Sequence, residues 1–192
     1  RFSADGAEVL FSSDRSGSCP VWTSDADGTD ARPVTSMGGT MTSAGRFSPD
    51  GKTIVFVSNA DGQMDVYLTD SDGRTPRRLT DDPGHDSAAT FSRDGRRVYF
   101  ASNRSGTFQV WKVSPDAGGP PVRVTKDGGF CAVESPDGRT LYYTRRDAVG
   151  GWELWKRPVG EGAETRVLAP VATWGDFDVT AQGLTWIDRS AK

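Results

Sequence analysis

Apolar residues in this chain form short uninterrupted runs, such as TIVFV at 53–57 and RVYFA at 97–101. A strand with one face in water would alternate apolar and polar residues, whereas a strand buried on both faces need not. No segment repeats its apolar positions with the 3.6-residue period of a helix. The pattern therefore predicts an all-β fold whose strands are covered on both sides.

The apolar runs belong to a repeat that occurs five times, the last copy being degenerate. The copies read FSADGAEVLFSSD, FSPDGKTIVFVSN, FSRDGRRVYFASN, ESPDGRTLYYTRR and VTAQGLTWIDR, and they begin at Phe2, Phe47, Phe91, Glu134 and Val179. Their shared glycine recurs every 43 to 45 residues. A fixed period of this size indicates an array in which each unit is one supersecondary element.

Each unit predicts four antiparallel strands. A short approach strand ends in an Asp-Gly turn, for which we expect positive φ at both residues, and the apolar run follows as the second strand. The third strand carries an aliphatic–aromatic pair, and the fourth ends the unit in sequences such as RRLTD and VRVTK. Units of four strands and about 40–45 residues are typical of β-propeller blades.

The repeat predicts a single β-propeller region over 1–192. Its approximate blade repeats are 1–45, 46–89, 90–133 and 134–178, with a partial repeat at 179–192. Four nearly complete blades and part of a fifth could close into a four-bladed ring, since closed propellers have about 4–8 blades. We expect instead an incomplete arc of a larger propeller, preceded by missing N-terminal blades or another domain. Such an arc exposes an apolar blade face at each end, which favours dimerisation or aggregation.

Charge and motifs exclude several functions. The net charge of −3 and the pI near 5.2 do not indicate a positively charged surface for binding nucleic acid. No apolar run in the sequence is long enough to span a membrane. G-x-S-x-G, H-E-x-x-H and dinucleotide-binding motifs are absent. The only histidine, His85, lies beside Asp86 and Ser87, but adjacent residues of an extended segment point to opposite faces. We therefore predict no catalytic residues and no enzyme activity for this chain.

FSPDGKTIVFVSNADGQMDVYLTDSDGRTPRRLT resembles the Ser-Pro-Asp-Gly repeat of TolB-type β-propellers. The segments RVTKDGGFCAVESPDGRTLYYTRR and ELWKRPVGEGAETRVL resemble the closing blades of propeller halves that follow winged-helix regulators or kinase domains in bacteria. The resemblance implies a non-catalytic scaffold for protein–protein interaction or ligand sensing, often in the cell envelope or periplasm. Similar blades also gate prolyl-oligopeptidase-type serine peptidases and form an oligogalacturonate lyase, which is the alternative function.

Two residues depart from the TolB-type pattern. Glu134 replaces the usual aromatic residue, and Gln182 replaces the aspartate of the turn in the last copy. We interpret both as signs that the later blades are relaxed or terminal.

The candidate binding site is the mouth of the central channel, where each innermost strand begins. Positions at or near nine residues before the turn glycine differ from blade to blade, and variation on a regular scaffold is typical of recognition. The predicted residues for a protein partner or small ligand are Met41, Thr42, His85, Asp86, Phe130, Trp174 and Asp176. Trp174 is the foremost candidate because tryptophan is enriched at binding hot spots. The alternative is a buried plug between terminal blades.

No cofactor is predicted. Inward carboxylates such as Asp86 and Asp176 could hold Ca²⁺ in the channel, whereas DADGTD at 25–30 and DSDG at 70–73 lack the distal ligands of a calcium loop. Cys19 and Cys131 lie in different units, so a disulfide is expected only if a four-bladed ring brings the first and fourth units together.

Overall fold

The computed structural model describes residues 1–15, 20–35, 37, 42–116, 119–171, 173–175 and 177–187. These residues contain seventeen β-strands and no helix. The first sheet has β1 (Glu8–Ser12), β2 (Val21–Asp25) and β3 (Arg32–Pro33); the second has β4 (Thr42–Phe47), β5 (Thr53–Ser58), β6 (Asp65–Asp70) and β7 (Arg77–Arg78). The third sheet has β8 (Asp86–Phe91), β9 (Val98–Ser102), β10 (Gln109–Val113) and β11 (Val122–Arg123). The fourth has β12 (Ala132–Glu134), β13 (Thr140–Arg146), β14 (Trp152–Pro158) and β15 (Thr165–Val171), and the fifth has β16 (Phe177–Thr180) and β17 (Gly183–Trp186).

Every sheet is an antiparallel meander in chain order, which confirms the predicted all-β class and the four-stranded blades. In the first sheet, a bridge between Phe2 and Val9 marks the place of the innermost strand. The approximate repeat boundaries after residues 45, 89, 133 and 178 fall inside β4, β8, β12 and β16. The innermost strand of each blade is thus the approach strand that precedes the Ser-x-Asp-Gly turn.

The blades stack around an axis as an open arc. The innermost strands pack in succession, β4 on β8, β8 on β12 and β12 on β16, and β4 also packs on β1, the second strand of the first blade. No comparable packing joins β16 or β17 to the first sheet within the described residues, so the blades do not close into a ring. Among those same residues, no helix is both long and apolar enough to cross a bilayer.

Consecutive apolar residues are buried on both faces of the blades, as predicted. In β5, Ile54 and Phe56 pack with Leu10 and Val21 of the first sheet. The intervening Val55 and Val57 of the same strand pack toward the third sheet in another cluster, with Ala89, Val98, Phe100 and Val113. Burial on both faces explains why these runs do not alternate with polar residues.

The Ser-x-Asp-Gly segment is a self-contained hydrogen-bonded turn. In the second blade, Ser48 Oγ donates to Asp50 Oδ1 at 2.6 Å and accepts from the Thr53 amide at 2.9 Å. Asp50 Oδ1 also accepts from the Lys52 amide at 3.2 Å, and the Gly51 amide donates to the Ser48 carbonyl at 2.9 Å. The same bonds recur in the turns that begin at Ser3, Ser92 and Ser135.

The predicted positive φ at both turn residues is wrong for the aspartate. Gly51 has φ of 72°, whereas Asp50 is not among the residues with positive φ. The turn reverses over four residues with glycine last, a geometry in which only the glycine needs the left-handed region. The aspartate is required for its carboxylate, and its hydrogen bonds, first that from the Ser48 hydroxyl, lower the pKa of Asp50.

Candidate functional site

A cleft of about 850 Å³ lies at the end of the channel where the innermost strands begin. Its wall is largely aromatic and is built by four successive sheets, the second to the fifth. The residues that define this mouth cleft are Met64, His85, Phe108, Phe130, Trp152 and Trp174. They lie in the segments that lead into β6, β8, β10, β12 and β16 and at the start of β14.

Phe130 is the centre of an aromatic cluster in this cleft. Its ring centroid is 5.2 Å from that of Phe108, 5.6 Å from Trp152 and 5.2 Å from Trp174. The contacts with Phe108 and Trp174 are edge-on, with interplanar angles of 71° and 67°, which is a favoured geometry because ring edges are positive and ring faces negative. His85 extends the cluster through an edge contact with Phe108 at 6.0 Å.

Backbone hydrogen bonds fix the position of Phe130. Its amide donates to the Thr144 carbonyl at 2.8 Å, and the Gly129 amide donates to the Phe108 carbonyl at 3.1 Å. The Thr144 hydroxyl also donates to the Trp174 carbonyl at 2.8 Å. Thr144 therefore ties the segments that carry Phe130 and Trp174 to the same strand, β13.

A buried glutamine holds the loop before Phe130. Gln109 Oε1 accepts from the Gly128 amide at 3.0 Å and from the Thr125 hydroxyl at 2.9 Å. Its Nε2 donates to the Lys126 carbonyl at 3.2 Å. This network determines the path of the 126–129 loop, and hence where the Phe130 ring stands.

Trp174 presents its ring to the cleft. The residue is 44% exposed and packs edge-on against Phe130. A plug between blades would be buried, so the structure does not agree with that alternative. An exposed tryptophan held by its backbone is available for contact with another molecule.

Residues 20–169 match the family described as the tricorn protease N-terminal beta propeller domain. The chain belongs to this family. As a tricorn-type propeller it is similar to the putative TolB of Agrobacterium tumefaciens, with a TM-score of 0.78 and 26% identity over 86% of this chain and 62% of that one. TolB of Acinetobacter baumannii gives a TM-score of 0.79 and 23% identity over 92% of this chain and 44% of that one. Tricorn protease gives 0.68 and 14% identity over 86% of this chain and 22% of that one.

These matches confirm the predicted TolB-like propeller fold. The chain spans 62% and 44% of the two TolB chains, and thus less than two thirds of either. A search of curated proteins finds no significant match.

Asp86 of the tricorn-type propeller lies inside the protein rather than on the surface of the mouth. Its fully buried carboxylate accepts two hydrogen bonds from Arg104 Nη2, at 2.9 and 3.2 Å. Arg104 also pairs with Asp82 at 2.5 Å and lies over the rings of Phe100 and Trp111. Burial raises the pKa of Asp86, and the arrangement ties the start of β8 to the loop after β9.

The other predicted site residues have different surroundings. Thr42 is buried at the start of β4. Met41, Asp176 and Cys19 lie outside the described residues. Cys131 is buried against Leu154 and Phe177, and burial raises the pKa of its thiol, as expected of an unreactive cysteine.

Neither a metal site nor a catalytic triad is assembled in the described part of the chain. It contains no group of three or more His, Cys, Asp or Glu side chains placed to hold a metal ion. The carboxylate of Asp86, predicted as a possible calcium ligand, is paired with Arg104. In the same residues, His85 makes no side-chain hydrogen bond to Asp86 or Ser87 and contacts Phe108 instead.

Sequence reasoning did not identify Phe108 and Trp152. Each lies two residues before the aliphatic residue of the aliphatic–aromatic pair in a third strand, and Met64 holds the same position in the second blade. All three line the mouth cleft. The signal was a large apolar side chain at a fixed position just after the loop between the second and third strands.

Proposed function

We propose that this tricorn-type propeller is a non-catalytic scaffold whose mouth cleft binds an apolar, extended segment of a partner protein. The observation that carries the proposal is the aromatic cluster around Phe130, which ends in the half-exposed ring of Trp174. Rigid aromatic side chains in a cleft provide contact area at little entropic cost, and such residues dominate the energy of protein interfaces.

The shape of the site favours a segment rather than a flat surface. Side chains from four successive sheets line one cleft of about 850 Å³, a volume suited to a few side chains. An extended peptide can place alternate side chains against such a wall. The resemblance to TolB-type propellers, which implies protein–protein contact, supports the same conclusion.

A displayed library of random peptides tests the proposal. We expect selection on the purified protein to enrich peptides with aromatic or aliphatic anchors, and Trp174→Ala to weaken a selected peptide by about tenfold or more, as for a hot-spot residue. Trp186→Ala is the matched control, because Trp186 is 48% exposed on β17 and does not line the cleft. Failure to enrich any peptide, or equal binding by the Trp174→Ala protein, would refute the proposal.

The alternative is a propeller that controls substrate access to a peptidase. The observation that favours it is the family match to the propeller domain of tricorn protease. Hydrolysis of short peptides by the full-length protein, with a changed KM in Trp174→Ala, would support this alternative over a scaffold. Association with a lyase, a winged-helix regulator or a kinase, and a place in the cell envelope or periplasm, stay predictions from the resemblance.

A further inference from the structure

A second cavity, of about 690 Å³, lies at the opposite end of the channel, among the Ser-x-Asp-Gly turns and the ends of the innermost strands. We call it the basic cavity and define it by its charged residues Arg1, Arg46, Arg93, Glu134 and Asp178. It is separate in sequence and in space from the mouth cleft, because the two share no lining residue.

The repeat places one side chain from each blade in this cavity. The position is the residue just before the first residue of each copy of the repeat, and its five occupants are Arg1, Arg46, Thr90, Val133 and Asp178. All five line the basic cavity. Because the first and second sheets are neighbours in the arc, Arg1 and Arg46 bring two like charges to adjacent positions of the channel wall.

Both carboxylates of the cavity, Asp178 and Glu134, already accept hydrogen bonds from groups of the protein. Asp178 Oδ2 accepts from Arg1 Nη1 at 2.9 Å. Glu134 accepts from the Tyr99 hydroxyl and from the Arg93 amide, both at 2.7 Å. Among the described residues, the Arg93 guanidinium donates only to a carbonyl oxygen, that of Val179, at 3.3 Å.

Arg46, like Arg93, belongs to no ion pair among the described residues. Within the described residues, no carboxylate oxygen lies within 4.0 Å of its guanidinium nitrogens. Burial lowers the pKa of Arg46 and the charge of Arg1 adds to this shift, whereas Cys131 and the charge of Asp178 oppose it. The neighbouring Cys131 thiol is fully buried, with a raised pKa, and is therefore a weak partner. Arg46 is partly buried, and a guanidinium that is partly removed from water without a paired carboxylate favours a negative ligand.

We propose that the basic cavity binds one small oxyanion, with Arg46 as its central ligand and Arg93 at its rim. The guanidinium fork matches two oxygens of a phosphate, a sulfate or a carboxylate, and charge-assisted bonds of this kind are about twice as strong as neutral ones. Arg93 is exposed and gives the site an opening to solvent. This site does not depend on the proposed function of the mouth cleft.

Calorimetric titration of the full chain with inorganic phosphate, and separately with succinate, tests the proposal at constant ionic strength. We expect saturable binding of at least one of them, weakened by about tenfold or more in Arg46→Gln, since a charge-assisted contact inside the cavity is lost. Arg96→Gln is the matched control, because Arg96 is an exposed arginine that does not line the cavity. Phosphate binding alone identifies a tetrahedral anion as the ligand, and succinate binding alone identifies a carboxylate.

Two results would overturn the proposal: no saturable binding of either anion by the unmodified protein, or unchanged binding in Arg46→Gln. Circular dichroism verifies that the variant is folded. If Arg46→Gln does not fold, Arg93→Gln replaces it, because an exposed rim residue is not needed for the core. Unchanged binding in that variant would equally contradict the assignment.

Discussion

The Tyr99 hydroxyl donates a hydrogen bond to Glu134 Oε1 at 2.7 Å and joins the third blade to the fourth. Glu134 Oε2 accepts a second bond, from the Arg93 amide, at 2.7 Å. Glu134 stands where the first three copies of the repeat have phenylalanine, and we interpreted this departure as a sign of a relaxed or terminal blade. The blade is not relaxed at this position, because Glu134 is buried and both of its oxygens contact the neighbouring blade.

Glu134→Gln is expected to destabilise the protein. Glutamine has one acceptor oxygen, so either the Tyr99 hydroxyl or the Arg93 amide loses its partner, at a cost of about 1–3 kcal/mol in the free energy of unfolding. Urea denaturation measures the change. In a double-mutant cycle with Tyr99→Phe, we expect a coupling of about 0.5–3 kcal/mol, as for residues in one hydrogen-bond network. Additive effects of the two substitutions would contradict a direct interaction.

The buried carboxylate of Asp65 predicts a pH dependence of stability. Burial raises the pKa of Asp65 to about 6, although Gln63 and Arg78 oppose the shift and Arg78 Nη2 lies 2.6 Å from the carboxylate. The charges of Asp86 and Asp82 raise it further. Since the folded state then binds this proton more tightly than the unfolded state, the contribution of Asp65 to stability falls as pH rises from about 4 to about 6.

Thermal denaturation at several pH values compares the unmodified protein with Asp65→Asn. We expect the stability of the unmodified protein relative to the variant to fall across that window and to become constant above it. Asp50→Asn is a control with the opposite sign, because hydrogen bonds lower the pKa of Asp50 and its contribution is lost as pH falls. If the difference in stability between the unmodified protein and Asp65→Asn did not change between about pH 4 and 6, the pKa of Asp65 would be ordinary.

Thr125→Val is expected to affect both stability and the mouth cleft. Its hydroxyl accepts from the Val110 amide at 2.9 Å and donates to Gln109, so its loss should cost about 1–3 kcal/mol. Because Gln109 holds the loop before Phe130, peptide binding should weaken as well. Chemical denaturation and peptide affinity measure the two effects.

Thr80→Val is the matched control for this substitution. Thr80 Oγ1 accepts from the Val66 amide at 3.0 Å, in the same position of the second blade, but Val66 does not line the cleft as Gln109, the partner of Thr125, does. We expect a similar loss of stability with unchanged peptide binding. Equal loss of binding in both variants would mean that general destabilisation, not the loop, determines the affinity.

Much of the fold and part of the candidate site could be predicted from the sequence. Buried strands and turns leave local patterns, and the position nine residues before the turn glycine located the segments that carry His85, Phe130 and Trp174. The burial of Asp86 could not be predicted, because it depends on Arg104, a partner from the loop after the next strand. Phe108 and Trp152 were missed because their place at the mouth follows from the stacking of blades, which local spacing does not contain.

The bonds of the Ser-x-Asp-Gly turn all close within six residues, from Ser48 to Thr53 in the second blade. These bonds involve no other blade, and short loops cost little entropy to close. Each of the first four blades therefore carries its own turn, and an array of this kind can gain or lose whole units by duplication or deletion within the gene. Each unit contributes one side chain to the channel wall, at the position that Arg46 holds in one blade and Asp178 in another. The charge of the channel can therefore change one blade at a time.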